Sequence, residues 1–145
     1  MSIIDDAIVK IQAHALAVAY NSSGNKTIRS APNLPVEDAA VLPLAITYIS
    51  EGSFQADDIT SARLLYTINT DIHVDRNIMK SAYTQLDIII PDFSKRLAGD
   101  PTLGGTVDTI VFPVSFTVGP AQWDRIVTQM VSFQIPIKIL TTPTT

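Results

Sequence analysis

Cysteine is absent from this 145-residue chain, which excludes disulfide frameworks, thiolate metal centres and cysteine nucleophiles together. Charge is scarce too: Asp, Glu, Lys and Arg make up 17% of the residues, with a net charge of −4 at pH 7. There is no basic stripe to neutralise a phosphate backbone, so nucleic-acid sequence recognition is excluded. Long apolar runs are also missing; the best candidates are broken by Asp, Lys or Pro before they reach the span of a bilayer. Asp5 and Asp6 stand where a signal peptide would carry basic groups, which predicts a soluble product of the cytoplasm. The sequons at Asn21 and Asn25 then carry no meaning.

What the chain does have is apolar residues, 46% of the total. Its length predicts one domain over residues 1–145, burying roughly 68–70% of its unfolded surface. The apolar surplus has two outlets, a large single core or a subunit that buries surface against neighbours, and the second is preferred at this size.

Periodicity sets out the elements. Ile4, Ile8, Ile11 and Ala15 make an apolar stripe on a first helix whose signal fades near Tyr20, with Ser2 as cap and Asp5 completing a capping box. Residues 21–39 hold three Pro or Gly breakers and no period, which reads as a long loop ordered by a partner. A strand over 42–49 and a polar turn or loop over 51–58 follow. Residues 64–74 alternate strictly: Leu64, Tyr66, Ile68, Thr70, Ile72 and Val74 share one face, and Leu65 alone interrupts the wet one. Asp75 then caps a second helix, beginning near Arg76, with the face Ile78, Ala82, Leu86, Ile89, Phe93 and Leu97. Pro91 falls inside it and predicts a kink or a short break after Ile90. Gly99 is placed for a left-handed cap, and Pro101 prevents the helix from resuming. One strand over 110–118 follows, then a connection opened by Gly119-Pro120. The last strand is expected near 127–140, with Gln129 the exception on its apolar face, and a frayed tail over 141–145. Pro113 and Pro136 should each mark a bulge, a strand end or an edge. The order α-β-β-α-β-β gives an α+β domain with helices packed on a mostly antiparallel sheet.

Candidate chemistry is thin. Asp71, His73 and Asp75 project from one strand face and offer a carboxylate–imidazole–carboxylate set for a metal or for acid–base work. A metal site needs a further convergent ligand, and none is indicated, so the polar face of a half-exposed strand is preferred. His14 is placed on the first helix without catalytic duty. Gly104-Gly105-Thr106 lacks the lysine and the following helix of a P-loop, and Asp57-Asp58 lacks the spacing of an EF-hand. No cofactor, metal or catalytic residue is assigned. Phe54 and Trp123 fall in connections, where an aromatic either anchors an interface or folds back onto the core edge; Arg29 in the long loop is a third possible partner contact.

The strand-into-helix unit followed by Asp100-x-x-Leu103-Gly104-Gly105-x-Val107-Asp108 resembles the tail terminator (tail completion) proteins of long-tailed bacteriophages. The architectural likeness covers most of the chain; the motif itself is short. The 21–39 loop and the 119–125 connection depart from the family pattern. The resemblance implies a structural virion protein of the tail or neck, assembled in the host cytoplasm. It implies a ring, typically six-fold, capping the head-proximal end of the tail tube, ending tube growth and providing the head-joining surface. Its partners would be further copies of itself, the tail tube protein and a head-side connector, with no membrane. Another neck component, a head-closure or head–tail adaptor protein, is the alternative; a small metal-dependent enzyme built on Asp71, His73 and Asp75 ranks below both. Replacing residues 21–39 by a short Gly-Ser linker should leave the thermal transition intact and weaken ring formation or tube capping. A large drop in melting temperature would mean that the segment belongs to the core.

Overall fold

A computed structural model describes residues 3–18, 44–56, 62–75, 79–123 and 126–141. It contains two helices and a five-stranded sheet in which every described pairing is antiparallel, an α+β fold. The elements are α1 (Ile3–Leu16), β1 (Leu44–Ala56), β2 (Ala62–Asp75), α2 (Met79–Ala98), β3 (Thr109–Ile110), β4 (Ser115–Trp123) and β5 (Ile126–Thr141). Strand β5 is central: β2 pairs along one side of it, while β4 and the short β3 share the other. Strand β1 closes the far edge against β2.

One apolar core lies between the sheet and the helices. Ala7, Ile8, Ile11 and Ala15 of α1 are buried with Ala82, Leu86, Ile89, Phe93 and Leu97 of α2. These helical positions repeat at intervals of three and four and so form the stripe that a helix lays on a sheet. The sheet supplies Ile68, Ile72, Val74, Val131, Phe133, Ile135 and Ile137. Phe133 centres the packing: Phe93 meets it edge to face at 4.9 Å, and Phe116 of β4 lies 5.4 Å away on a tilt. No described helix is long and apolar enough to cross a membrane.

Several expectations need correction. Helix α1 ends at Leu16, short of Tyr20. Strand β1 runs on to Ala56, so the stretch expected as a turn or loop is paired to β2 almost throughout. A bulge at Ser50, between Ile49↔Ile68 and Glu51↔Thr67, carries it there. Ser50 Oγ holds the bulge within reach of the Thr67 carbonyl (3.1 Å) and Asn69 Oδ1 (3.0 Å). Pro91 does not break α2, which is one helix from Met79 to Ala98; the proline is on its exposed side. The strand expected over 110–118 is two strands, β3 and β4, separated by a segment with a cis Phe112-Pro113 bond. Gly119 and Pro120 lie inside β4, paired with Met130 and Gln129. Because β4 is an edge strand, a missing N–H there need not leave a ladder bond unmade.

Pro136 lies in the middle of central β5, where a proline is least expected. Its carbonyl accepts from Val111 N–H at 2.7 Å, so its polar groups face the interruption between β3 and β4. The missing donor therefore meets a gap in the ladder, and Pro113 sits in that same gap.

The 21–39 loop, Ser2, Arg76, Ile78 and the last four residues of the tail lie outside the described residues. Ile68→Asp or Ile89→Asp should abolish the cooperative thermal transition seen by circular dichroism. Each places an unpaired charge at a position with no solvent exposure, at a cost of several kcal/mol.

Candidate interaction surface

The turn after α2 is built by its own side chains. Gly99 N–H still bonds to the Lys95 carbonyl, and its φ is not positive, so it is not the left-handed cap expected of it. The left-handed residues come later, at Leu103 (φ 50°), Gly104 (68°) and Gly105 (85°). For a leucine that conformation costs about 1–2 kcal/mol, offset here by complete burial of the side chain. Asp100 organises the turn: its Oδ1 accepts from Gly104 N–H at 2.8 Å and its Oδ2 from His14 Nε2 at 2.8 Å. Lys10, one helical turn before His14, lays its stem against Gly104, where an added Cβ would come within 3.0 Å of Cε. Helix α1 is thus fastened to the turn through His14 and Lys10. Hydrogen bonds from His14 and then from Gly104 hold the Asp100 carboxyl below the ordinary aspartate range.

The face of β2 expected to be wet is partly dry. His73 is only 6% exposed, and its Nδ1 is hydrogen-bonded to Thr128 Oγ1 at 2.8 Å. Burial lowers its pKa, against a smaller opposing pull from Asp71. Asp71 accepts from Tyr48 Oη at 2.7 Å and from Ser132 Oγ at 2.5 Å. Desolvation and the Asp71 contact together raise the Tyr48 phenol. Gln134 Nε2 extends the row to Ser132, and Ser115 Oγ to Gln134, so a polar belt crosses all four long strands. Of the proposed triplet, Asp71 is engaged in this belt and His73 with Thr128, while the Asp75 side chain lies outside the described residues. The described residues contain no group of three or more His, Asp or Glu side chains suited to a metal ion.

The candidate contact residues separate. Phe54 is not in a connection; it lies on β1 opposite Leu64, with its ring 77% exposed. Trp123 ends β4 opposite Ile126, again in a strand and not in a connection; its side chain is outside the described residues, as is the whole of Arg29. Phe54 and Trp123 stand at opposite edges of the sheet, so they do not form one site.

Two hollows adjoin these edges. A shallow one of about 410 Å³ is lined by Glu51, Ser53, Leu65, Thr67, Val111 and Pro136. Another of about 300 Å³ lies between the end of α2 and the start of β4, walled by Leu97, Phe112, Pro113, Val114 and Phe116. The first has two ionisable lining groups, Glu51 and Tyr66, and the second has none. No family model matches the chain, and no curated protein is significantly similar to it. Sequence reasoning missed the second hollow. Its available signal was the run of Phe112, Val114 and Phe116 beside a proline, apolar residues at what becomes a sheet edge.

Exposed apolar side chains stand at both edges of the sheet: Ile49 and Phe54 on β1, Phe116 and Val118 on β4. Since the Asp100 carboxyl titrates lower in the folded chain, its contribution is complete above the ordinary aspartate pKa and is lost as pH falls through the depressed one. Asp100→Asn should be less stable than wild type near neutrality. Urea titrations between about pH 5 and about pH 1 should show that difference closing as the medium becomes more acid. A constant gap would assign the aspartate's role to shape alone.

Proposed function

We propose that this protein is a structural subunit of a long-tailed phage, a tail terminator. A ring of its copies, six by the family resemblance, caps the head-proximal end of the tail tube. It ends tube polymerisation and offers the head-side connector its joining surface. The observation that carries this reading is the far half of β1. Every residue from 49 to 56 is exposed, yet the strand stays paired with β2 past the bulge at Ser50, and it bears a bare phenylalanine. A monomer gains little from holding such a ribbon in water, and edge strands that must stay unpaired usually carry several charges, proline, a bulge or a covering loop. This one carries a single charge, Glu51.

Other features agree with it. The α-β-β-α-β-β order with helices laid on the sheet belongs to the resemblance, β3 being a short addition. The two exposed edges are unlike each other, which suits a heterologous interface that closes into a ring. Capping needs one surface that fits the tube end and another that refuses the next tube subunit. On this reading the protein acts in the virion neck, without catalysis, and is assembled in the host cytoplasm.

A phage carrying a stop codon early in this gene tests the assignment. Electron microscopy of its lysates should show overlong tubes, or tails that never join heads, with the other tail parts present. Tails of normal length joined to heads would reject the terminator assignment. Tails of normal length that fail only at joining would move the protein to the head-side adaptor.

A further inference from the structure

Asp100-Pro101 is the sole Asp-Pro pair of the chain, and it stands between α2 and β3. A peptide bond of this kind carries its own means of cleavage. The carboxylate is tethered to the carbonyl carbon it attacks, so the encounter is intramolecular. The proline nitrogen, a tertiary amide without N–H, leaves more readily than a secondary one once it takes a proton. In that step a carboxylate oxygen bonds to the Asp100 carbonyl carbon, and the C–N bond to Pro101 breaks as its nitrogen takes a proton from the medium. Water then opens the cyclic anhydride, leaving Asp100 as a new C-terminus and Pro101 as a new N-terminus.

The fold holds the attacking group. Oδ1 of Asp100 accepts from Gly104 N–H and Oδ2 from His14 Nε2, each at 2.8 Å. Bonds to an ionised acceptor are the strong ones, and the carboxylate has to give up part of this hold before it can turn on its own carbonyl. The carbonyl itself is not protected: its oxygen accepts from Leu103 N–H at 3.0 Å, and a donor there stabilises the oxyanion that forms. Burial does not shield the bond either, since the Asp100 side chain is 27% exposed and acid and water reach it. Protection therefore falls on the two bonds to the carboxylate, one from the turn and one from α1.

We infer that the His14–Asp100 contact guards a self-scission site: the docked α1 keeps Asp100–Pro101 whole, and release of α1 lets the chain cut itself there. The ionisable groups that act on this carboxyl are His14 and, more weakly, Lys10, both of α1. Scission would separate α1, β1, β2 and α2 from β3, β4 and β5, leaving the β2–β5 ladder as a contact between two chains. The inference is independent of the ring reading.

Mass spectrometry of full-length protein tests it, reading fragments 1–100 and 101–145 over time. The medium is the most acidic in which circular dichroism still shows the native fold, about pH 4, where a free aspartate is half ionised. Folded wild type should yield the fragments at least about tenfold more slowly than the same chain in urea at that pH. His14→Ala should be cut about tenfold faster than folded wild type, the factor that one charge-assisted hydrogen bond carries. His14→Gln, which restores a donor, should fall back towards wild type, and Pro101→Ala should give no fragments above background. Ile72→Val is the control for general loosening: it trims the core beside Val131, whereas the turn adjoins Ile137 through Ile110. It should leave the folded rate unchanged. Scission of folded wild type as fast as in urea would overturn the inference, as would His14→Ala cut no faster than wild type. Ile72→Val accelerating scission as much as His14→Ala would overturn it too, since the whole fold and not the clasp would then be the guard.

Discussion

Strand β5 must satisfy its backbone on both edges, and the rest of the sheet is arranged around that requirement. Fourteen consecutive residues of β2 pair with it on one side. On the other side no single strand does the work: β4 covers 126–134, and β3 covers Ile137 and Lys138. The break falls where β5 has a proline and so has no N–H to offer. One residue type thus explains why the chain leaves the ladder between β3 and β4, and that departure opens the hollow beside α2. Phe133, at the midpoint of the strand, ties it to α2 through Phe93 and to the edge through Phe116.

The turn from α2 to β3 is the second fixed point. Three left-handed residues in a row make a tight, specific path, and Asp100 stabilises it by binding the turn's own backbone with one oxygen and α1 with the other. Leu103 and Val107 point into the core from it. Its glycine pair serves geometry alone, and the motif that carries the phage resemblance is in physical terms a clasp between two helices and a sheet.

What was legible in the sequence is what burial writes there. The α2 stripe from Ala82 to Leu97 and the core face of β2 were plain because an apolar core imposes a period on them. Strand β1 beyond Ile49 was not legible, since a ribbon exposed on both sides has nothing to alternate. Gly119-Pro120 pointed to a connection because the rule against proline in strands concerns strands with two neighbours, and β4 has one. His73 was placed on a half-exposed face by parity, yet it is buried and bonded to Thr128 of β5, a partner that no spacing along β2 announces. Phe54 was singled out for its place in a loop, yet it lies on a paired strand with its side chain exposed. The hollow beside β4 joins residues from α2 and from the segment after β3, so only the tertiary structure brings it into view.

The β2–β5 ladder also sets the timing of folding. Its partners, Ala62 with Thr141 and Asp75 with Thr128, are separated by α2, its turn and two strands. Closing so large a loop is slow, and its cost falls before any of the ladder's bonds can reward it. On the ribosome α1, the β1–β2 hairpin and α2 all emerge before β5, and one edge of β2 is bare until β5 has been made. The central pairing that makes the finished subunit stable is thus the last available to the nascent chain, and each copy must pass through a state whose open edge invites a neighbour's strand.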